Sequence, residues 1–174
     1  ALFRQYYDDM FYYALKLSGS TERAEDHIHQ TFLHIWEHRH SLGDVRSVKA
    51  YLLTSLRNNV LMEKRKKGAM GNDNIYELPL LAFSPEEIII EKEEQQEQKK
   101  QLLRALSQLP RRQREVLVLK FYNNLTYQEI QDVMQLNYQT VRNYVHQGLN
   151  HMRDFVDSST VTLAVFMSLL PGCF

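Results

Sequence analysis

Between positions 139 and 146, five side chains that can read nucleic acid fall close together: Gln139, Thr140, Arg142, Asn143 and His146. An arginine can form two hydrogen bonds to guanine, and an asparagine or glutamine can do the same with adenine. Just upstream, Thr126 and Tyr127 stand where a helix would begin, and the free amides of such a start can hold a phosphate. This chemistry is recognition. No serine nucleophile motif, phosphate-cradling glycine loop or pair of catalytic acids appears in the chain, so chemistry by this chain alone is not expected.

Base readers need a rigid element to carry them, and the local pattern predicts one. Thr126-Tyr127-Gln128-Glu129 is a capping-box sequence, in which Thr126 and Glu129 satisfy each other's backbone donors. It opens a short helix through Val133-Met134. After a break near Leu136, Asn137 caps a longer helix that turns Val141, Val145, Leu149 and Met152 inward and leaves the five polar residues outward. Short helix, tight turn, longer helix is a helix-turn-helix pattern, whose second helix enters the major groove. An ordinary helical hairpin with polar residues facing water is the plainer alternative. Ahead of it, Arg111 to Tyr122 reads as a helix with Val116, Leu117, Leu119 and Phe121 as apolar surface, stopped by Asn123-Asn124.

The first part of the chain reads as three more helices. Leu2, Phe3, Tyr6, Met10, Phe11, Ala14 and Leu17 form one apolar stripe, ended by Ser18-Gly19-Ser20. Ala24, Ile28, Phe32, Ile35 and Trp36 form a second, and Val48, Leu52, Ser55, Leu56 and Val60 a third. Such stripes can be buried only against each other, so a bundle is expected over residues 1–67. Gly68, Gly71, Asn72, Asp73, Asn74 and Pro79 then break every period and mark a linker, and Ser84-Pro85-Glu86-Glu87 is a helix-start signal. The expected organisation is all-α: a bundle over 1–67, a linker and the start of a helix over 68–99, a helix-turn-helix unit over 100–157, and an apolar tail over 158–174.

Composition fits this reading. With 44% apolar and 24% charged residues, the chain can form a core. Its one cysteine, Cys173, can make neither an internal disulfide nor a multi-thiolate zinc site, which suits a reducing cytoplasm. No signal segment is evident, and Val161 to Leu170 is too short to span a bilayer, so no membrane insertion is expected. The formal charge is zero, but it is segregated: Lys64 to Lys67 is basic, whereas Glu86 to Glu97 holds six glutamates. One surface could meet phosphate and another a protein or solvent, although each run could equally be a solvated face. His27, His29, His34, His38 and His40 specify no closed metal site, and read as a solvated or partner-facing surface; no cofactor is expected. Asn124-Leu125-Thr126 matches a glycosylation tripeptide, but a helix start explains it better.

Two segments carry a family resemblance. Residues Leu125 to Leu149, with the preceding Leu109-Pro110-Arg-Arg-Gln-Arg-Glu-Val116, resemble region 4 of the sigma factors of RNA polymerase. Ala24-Glu-Asp-His-Ile-His-Gln-Thr-Phe-Leu-His-Ile-Trp36 resembles sigma region 2, and the two occur in the family's order. The group most resembled is that of the extracytoplasmic-function sigma factors.

The resemblance implies a division of labour. Region 2 would bind the clamp helices of the largest subunit of bacterial core polymerase, with Asp26, His29, Gln30 and Leu33 at the matching positions. Family members often have Gln then Glu where this chain has His29 and Gln30. The loop His40 to Ser47 and the helix after it would capture the unpaired minus-ten strand, through Arg46, Ser47, Lys49, Tyr51, Arg57, Asn58, Lys64 and Arg65. Cationic groups beside a planar ring suit single-stranded DNA, although Tyr51 could equally serve the core. Region 4 would read the minus-thirty-five duplex through Thr126, Tyr127, Gln139, Thr140, Arg142, Asn143 and His146, and touch the polymerase flap. Where relatives often carry Arg or Lys late in that helix, this chain has Tyr144, Gln147, Asn150 and His151, which predicts weak duplex binding by the unit alone.

The tail holds Val161, Leu163, Ala164, Val165, Phe166, Met167, Leu169 and Leu170. It would either dock on its own domains or serve an anti-sigma factor or another regulator. Three functions remain in view: a sigma factor, a stand-alone helix-turn-helix regulator with a sensing or dimerising bundle, and a protein-interaction module. Dependence on core polymerase separates the first two; the third would show no dependence on DNA.

Overall fold

The computed structural model describes residues 2–66 and 104–157. The linker, the helix start at Ser84-Pro85 and the apolar tail lie outside the described residues. Those described are helical, with no strand among them, and the chain divides into two compact units.

The first unit is built from α1 (Leu2–Ser18), α2 (Thr21–Glu37) and α3 (Val48–Lys66), each packed against the other two. Gly19 adopts a left-handed φ of 74°, and its amide closes on the Leu15 carbonyl at 2.9 Å, ending α1 as a glycine C-cap does. One residue later Ser20 caps α2, its hydroxyl accepting from the Arg23 amide at 3.5 Å. This short turn makes α1 and α2 neighbours. Met10, Tyr13, Ala14 and Leu17 of α1 meet Ala24 and Ile28 of α2 and Leu52, Leu53, Leu56 and Val60 of α3 in one buried core.

Phe3 and Val48, placed by sequence in the apolar stripes, are exposed, at 47% and 36%, and two further expectations are corrected. Trp36 belongs to no buried stripe: it is 66% exposed, one residue before α2 ends at Glu37. Arg39 lies over its ring at 4.5 Å and donates to its carbonyl at 2.7 Å. His27, grouped by sequence with the surface histidines, is buried and its Nε2 lies 2.9 Å from the Glu63 carboxylate of α3. The carbonyl of His27 accepts from the Thr31 hydroxyl at 2.7 Å and the Asn59 amide at 3.4 Å. Burial lowers the His27 pKa and outweighs Glu63, which raises it. Lys16 is buried as well, with its ammonium 4.9 Å over the Tyr12 ring and no hydrogen-bond acceptor among the described residues, and burial lowers its pKa to about 8.

The second unit begins, among the described residues, with helical residues 104–108, followed by α4 (Arg111–Leu117), α5 (Tyr127–Met134) and α6 (Tyr138–Asp157). Arg114 clips the turn at Pro110, donating to the carbonyls of Ser107 at 2.8 Å and Leu109 at 2.9 Å. α4 runs on through a π-helical turn, Val118–Tyr122, in which the Asn123 amide reaches back to the Val118 carbonyl at 3.0 Å. The expected helix over Arg111 to Tyr122 is present, with its last turn widened. Val116, Leu117 and Leu119 pack with Leu125, Ile130, Val133, Val141, Val145 and Met152 in the core of this unit.

Candidate nucleic-acid interface

The chain can turn sharply twice in this unit because Asn124 and Gln135 both take a φ of 53°, in the left-handed region. Between them the capping box closes as its sequence predicts. The Thr126 amide donates to Glu129 Oε2 at 2.7 Å, and the Glu129 amide donates to Thr126 Oγ1 at 3.2 Å. The Thr126 hydroxyl also donates to that carboxylate, at 2.8 Å. Beyond the second turn Asn137 caps α6, its Oδ1 accepting from the Thr140 amide at 2.8 Å.

These caps fix where α6 starts, and its apolar residues fix how it is rotated. Val141 and Val145 are buried, so Gln139, Arg142, Asn143 and His146 lie together on the exposed side; Thr140 is half-buried. The exposed polar groups are already ordered among themselves. Gln139 Nε2 donates to Asn143 Oδ1 at 3.0 Å, and Asn150 Nδ2 lies 3.1 Å from His146 Nε2. Each amide keeps one free donor and one free acceptor position, enough to pair with the edge of an adenine.

Several residues of this unit escaped sequence reasoning. Gly148 is buried on the inner face of α6, where a Cβ would sit 2.9 Å from Leu117 Cδ1, so it sets the approach of α6 to α4. Gln113 ties the same two helices by donating to Gln147 Oε1 at 3.0 Å. Tyr138, at the first position of α6, is 40% exposed and meets the Tyr127 ring edge-on at 5.9 Å. Lys120 lies 5.1 Å over the other ring of that pair, Tyr127, and donates to the Leu125 carbonyl at 3.1 Å. The signal for Tyr138 was a large aromatic beside an N-cap asparagine.

In the first unit, Asp26, His29, Gln30 and Leu33 lie exposed along one face of α2, and Trp36 continues that line by three residues. The residues named for single-stranded DNA are more dispersed in role. Arg46, Asn58 and Arg65 are exposed, and Tyr51 and Arg57 are half-buried. Ser47 stands ahead of α3 and accepts from the Ala50 amide at 3.3 Å. Lys49 pairs with Asp9 of α1 at 2.7 Å, and the Lys64 ammonium donates to the Leu17 carbonyl at the end of α1. These two lysines therefore brace the bundle even where their charge faces outward.

A helix-turn-helix with an ordered polar face on its second helix, in the same chain as a three-helix bundle, is an architecture of DNA-binding transcription proteins. Comparisons make this specific. The chain matches the family model of sigma-70 region 2 over residues 2–70 and that of sigma-70 region 4 over residues 99–152, together more than half its length. It is 26% identical over 161 residues to the ECF RNA polymerase sigma factor SigL of Mycobacterium tuberculosis, covering 88% of each chain. It is 27% identical over 140 residues to the ECF RNA polymerase sigma factor SigM of Bacillus subtilis, covering 78% of this chain and 81% of that one. Its fold is shared with the sigma factor RpoE from Bartonella quintana, solved in complex with the anti-sigma factor NepR. That likeness has a TM-score of 0.68 at 21% identity, over 91% of this chain and 96% of the other. The chain belongs to the sigma-70 family, as one of its extracytoplasmic-function RNA polymerase sigma factors.

Proposed function

We propose that this sigma factor divides promoter recognition between its two units as follows. The exposed face of α2, with Asp26, His29, Gln30 and Leu33, docks on the clamp helices of core polymerase. The α2–α3 loop and α3 hold the unpaired minus-ten strand, through Arg46, Tyr51, Arg57, Asn58 and Arg65, while Lys49 and Lys64 support that surface from within. The second unit reads the minus-thirty-five duplex through Gln139, Arg142, Asn143 and His146, with Thr126, Tyr127 and Thr140 beside the backbone, and touches the polymerase flap. The polymerase performs the chemistry, and this chain supplies position and strand separation in the cytoplasm. The observation that carries this reading is the capped α5–α6 pair, whose outward side chains are hydrogen-bonded in register.

Late in α6, Tyr144, Gln147, Asn150 and His151 supply no fixed positive charge, so few counterions would be released on binding. Duplex binding by this unit alone is therefore weak, and promoter choice leans on the minus-ten strand and on tethering to polymerase. The apolar segment 158–174 serves an anti-sigma factor or another regulator; its deletion should change partner binding or transcription. In vitro transcription with purified bacterial core polymerase, followed by start-site mapping, tests the whole reading. Specific starts should need both core enzyme and this chain. Tight operator binding without polymerase would instead indicate a stand-alone regulator.

A further inference from the structure

Tyr138 is a large aromatic left 40% exposed at the first turn of the reading helix. Around the axis of α6 it lies between the buried Val145 and the exposed Arg142, at the rim where core gives way to reading face. Its ring is held edge-on against Tyr127, at 5.9 Å and 71°, and so bridges the starts of α5 and α6. Tyr127 is itself held by the Lys120 ammonium, 5.1 Å from its ring centre. Lys120, Tyr127 and Tyr138 thus form a short ladder that joins the π-helical turn to the starts of α5 and α6.

In a helix-turn-helix complex the first helix crosses the DNA backbone while the second lies in the groove. A residue on the α5 side of α6 therefore stands beside the sugar-phosphate strand and not over the base pairs. The ladder holds the ring, which stays 40% exposed, and its phenol hydroxyl can serve as a hydrogen-bond donor there. Tyrosine hydroxyls are among the groups that position proteins on phosphate. We propose that Tyr138 is a further duplex contact of this sigma factor, its hydroxyl donating to a backbone phosphate of the strand that passes the starts of α5 and α6. This rests on the second unit reading duplex DNA, as proposed above. It would compensate in part for the lack of fixed charge at Tyr144, Gln147, Asn150 and His151.

The test uses the full chain assembled with bacterial core polymerase. The probes are a promoter fragment recovered by start-site mapping with the unaltered chain and the same fragment with its upstream element scrambled. Tyr138→Phe removes only the hydroxyl and keeps the ring pair. It should weaken binding to both fragments by a similar factor, roughly tenfold for a lost hydrogen bond to a charged group. The dependence of log affinity on log salt should keep its slope, because a phenol releases no counterion. Thermal unfolding should match that of the unaltered chain. Unchanged affinity would overturn the proposal, as would a loss confined to the intact upstream element, which would make Tyr138 a base reader. Failure of the unaltered chain to direct any specific start would instead overturn the underlying reading of function.

Discussion

The imidazole of His27 and the carboxylate of Glu63 meet at 2.9 Å between α2 and α3, with the histidine buried and the acid only partly covered. This contact and the Asn59 bond to the His27 carbonyl join the helix proposed to face polymerase to the helix proposed to hold single-stranded DNA. Burial dominates the environment of His27 and lowers its pKa, so folding favours the neutral ring. The unfolded chain then binds the proton more readily. Stability of the first unit should be full above the ordinary histidine value of about 6.5 and fall as the pH drops through the lowered one. His27→Gln should flatten that fall while costing about 1–3 kcal/mol at pH 7.5. Urea unfolding followed by the fluorescence of Trp36, the chain's one tryptophan, reads this unit. An unchanged pH profile in the variant would remove the assignment.

Lys16 gives a second pH dependence in a different window. Its buried ammonium lacks an acceptor, and its pKa is lowered to about 8. Between that value and the ordinary lysine value near 10.4 the unfolded chain binds more protons, so this residue makes stability rise with pH across the interval. Lys16→Met should raise stability at pH 7 by on the order of 1–3 kcal/mol and abolish that rise. Equilibrium unfolding at pH 7, 8.5 and 10 decides it.

Gly148 should resist replacement despite lying inside a helix. Alanine would gain roughly 1 kcal/mol from helix propensity, but overpacking a filled site costs typically about 1–3 kcal/mol. The new methyl would lie 2.9 Å from Leu117 Cδ1 and 3.2 Å from its Cγ, and Leu117 is itself buried. Gly148→Ala should therefore destabilise the second unit by about 1 kcal/mol. In the background of Leu117→Ala, the same change should become neutral or favourable. Hydrogen exchange of α6 amides in the four chains of this cycle measures the coupling.

At Asn137, stability and DNA binding can be separated. Removing the cap with Asn137→Ala should cost about 1 kcal/mol of stability. Asn137→Asp keeps the acceptor and adds a charge favourable to the helix start, so stability should hold. That same charge beside the DNA backbone should weaken promoter binding by the holoenzyme. An Asp variant as tightly bound as the original would mean that the start of α6 does not approach phosphate.

Arg142→Ala should relax sequence preference and not simply weaken binding. A bidentate contact to guanine discriminates by about 1–3 kcal/mol, so one position of the upstream element should lose its preference. Transcription from a promoter library randomised in that element shows whether one position flattens. Uniform loss at all sequences would make Arg142 a phosphate contact.

Much of this architecture was legible in the sequence because its signals are local. The Thr126–Glu129 box and the Asn137 cap closed where the residues predicted, and the stripes in α1 to α3 found most of the core. What escaped depended on partners distant in sequence. His27 falls in register with Ala24, Ile28 and Thr31, a spacing that marks it as inward, but its polar type and its histidine neighbours suggested the surface. Trp36 was assigned inward by its four-residue spacing from Phe32, although only Glu37 follows it in α2. Lys49 and Lys64 carry the right charge for DNA, yet each is bound to α1 by a contact that spacing cannot foresee. Gly148 and Tyr138 acquire meaning only once the approach of neighbouring helices is known.

The widened turn at Val118–Tyr122 has a consequence for insertions and deletions. It carries a surplus residue between α4 and the α5–α6 pair proposed to face DNA. One residue of an α-helix corresponds to a rotation of roughly 100°. Trimming that surplus would let the backbone relax into regular winding and swing everything downstream out of phase, however well each amino acid was conserved in kind. The turn thus acts as an angular offset built into the chain, and its length is less negotiable than its composition.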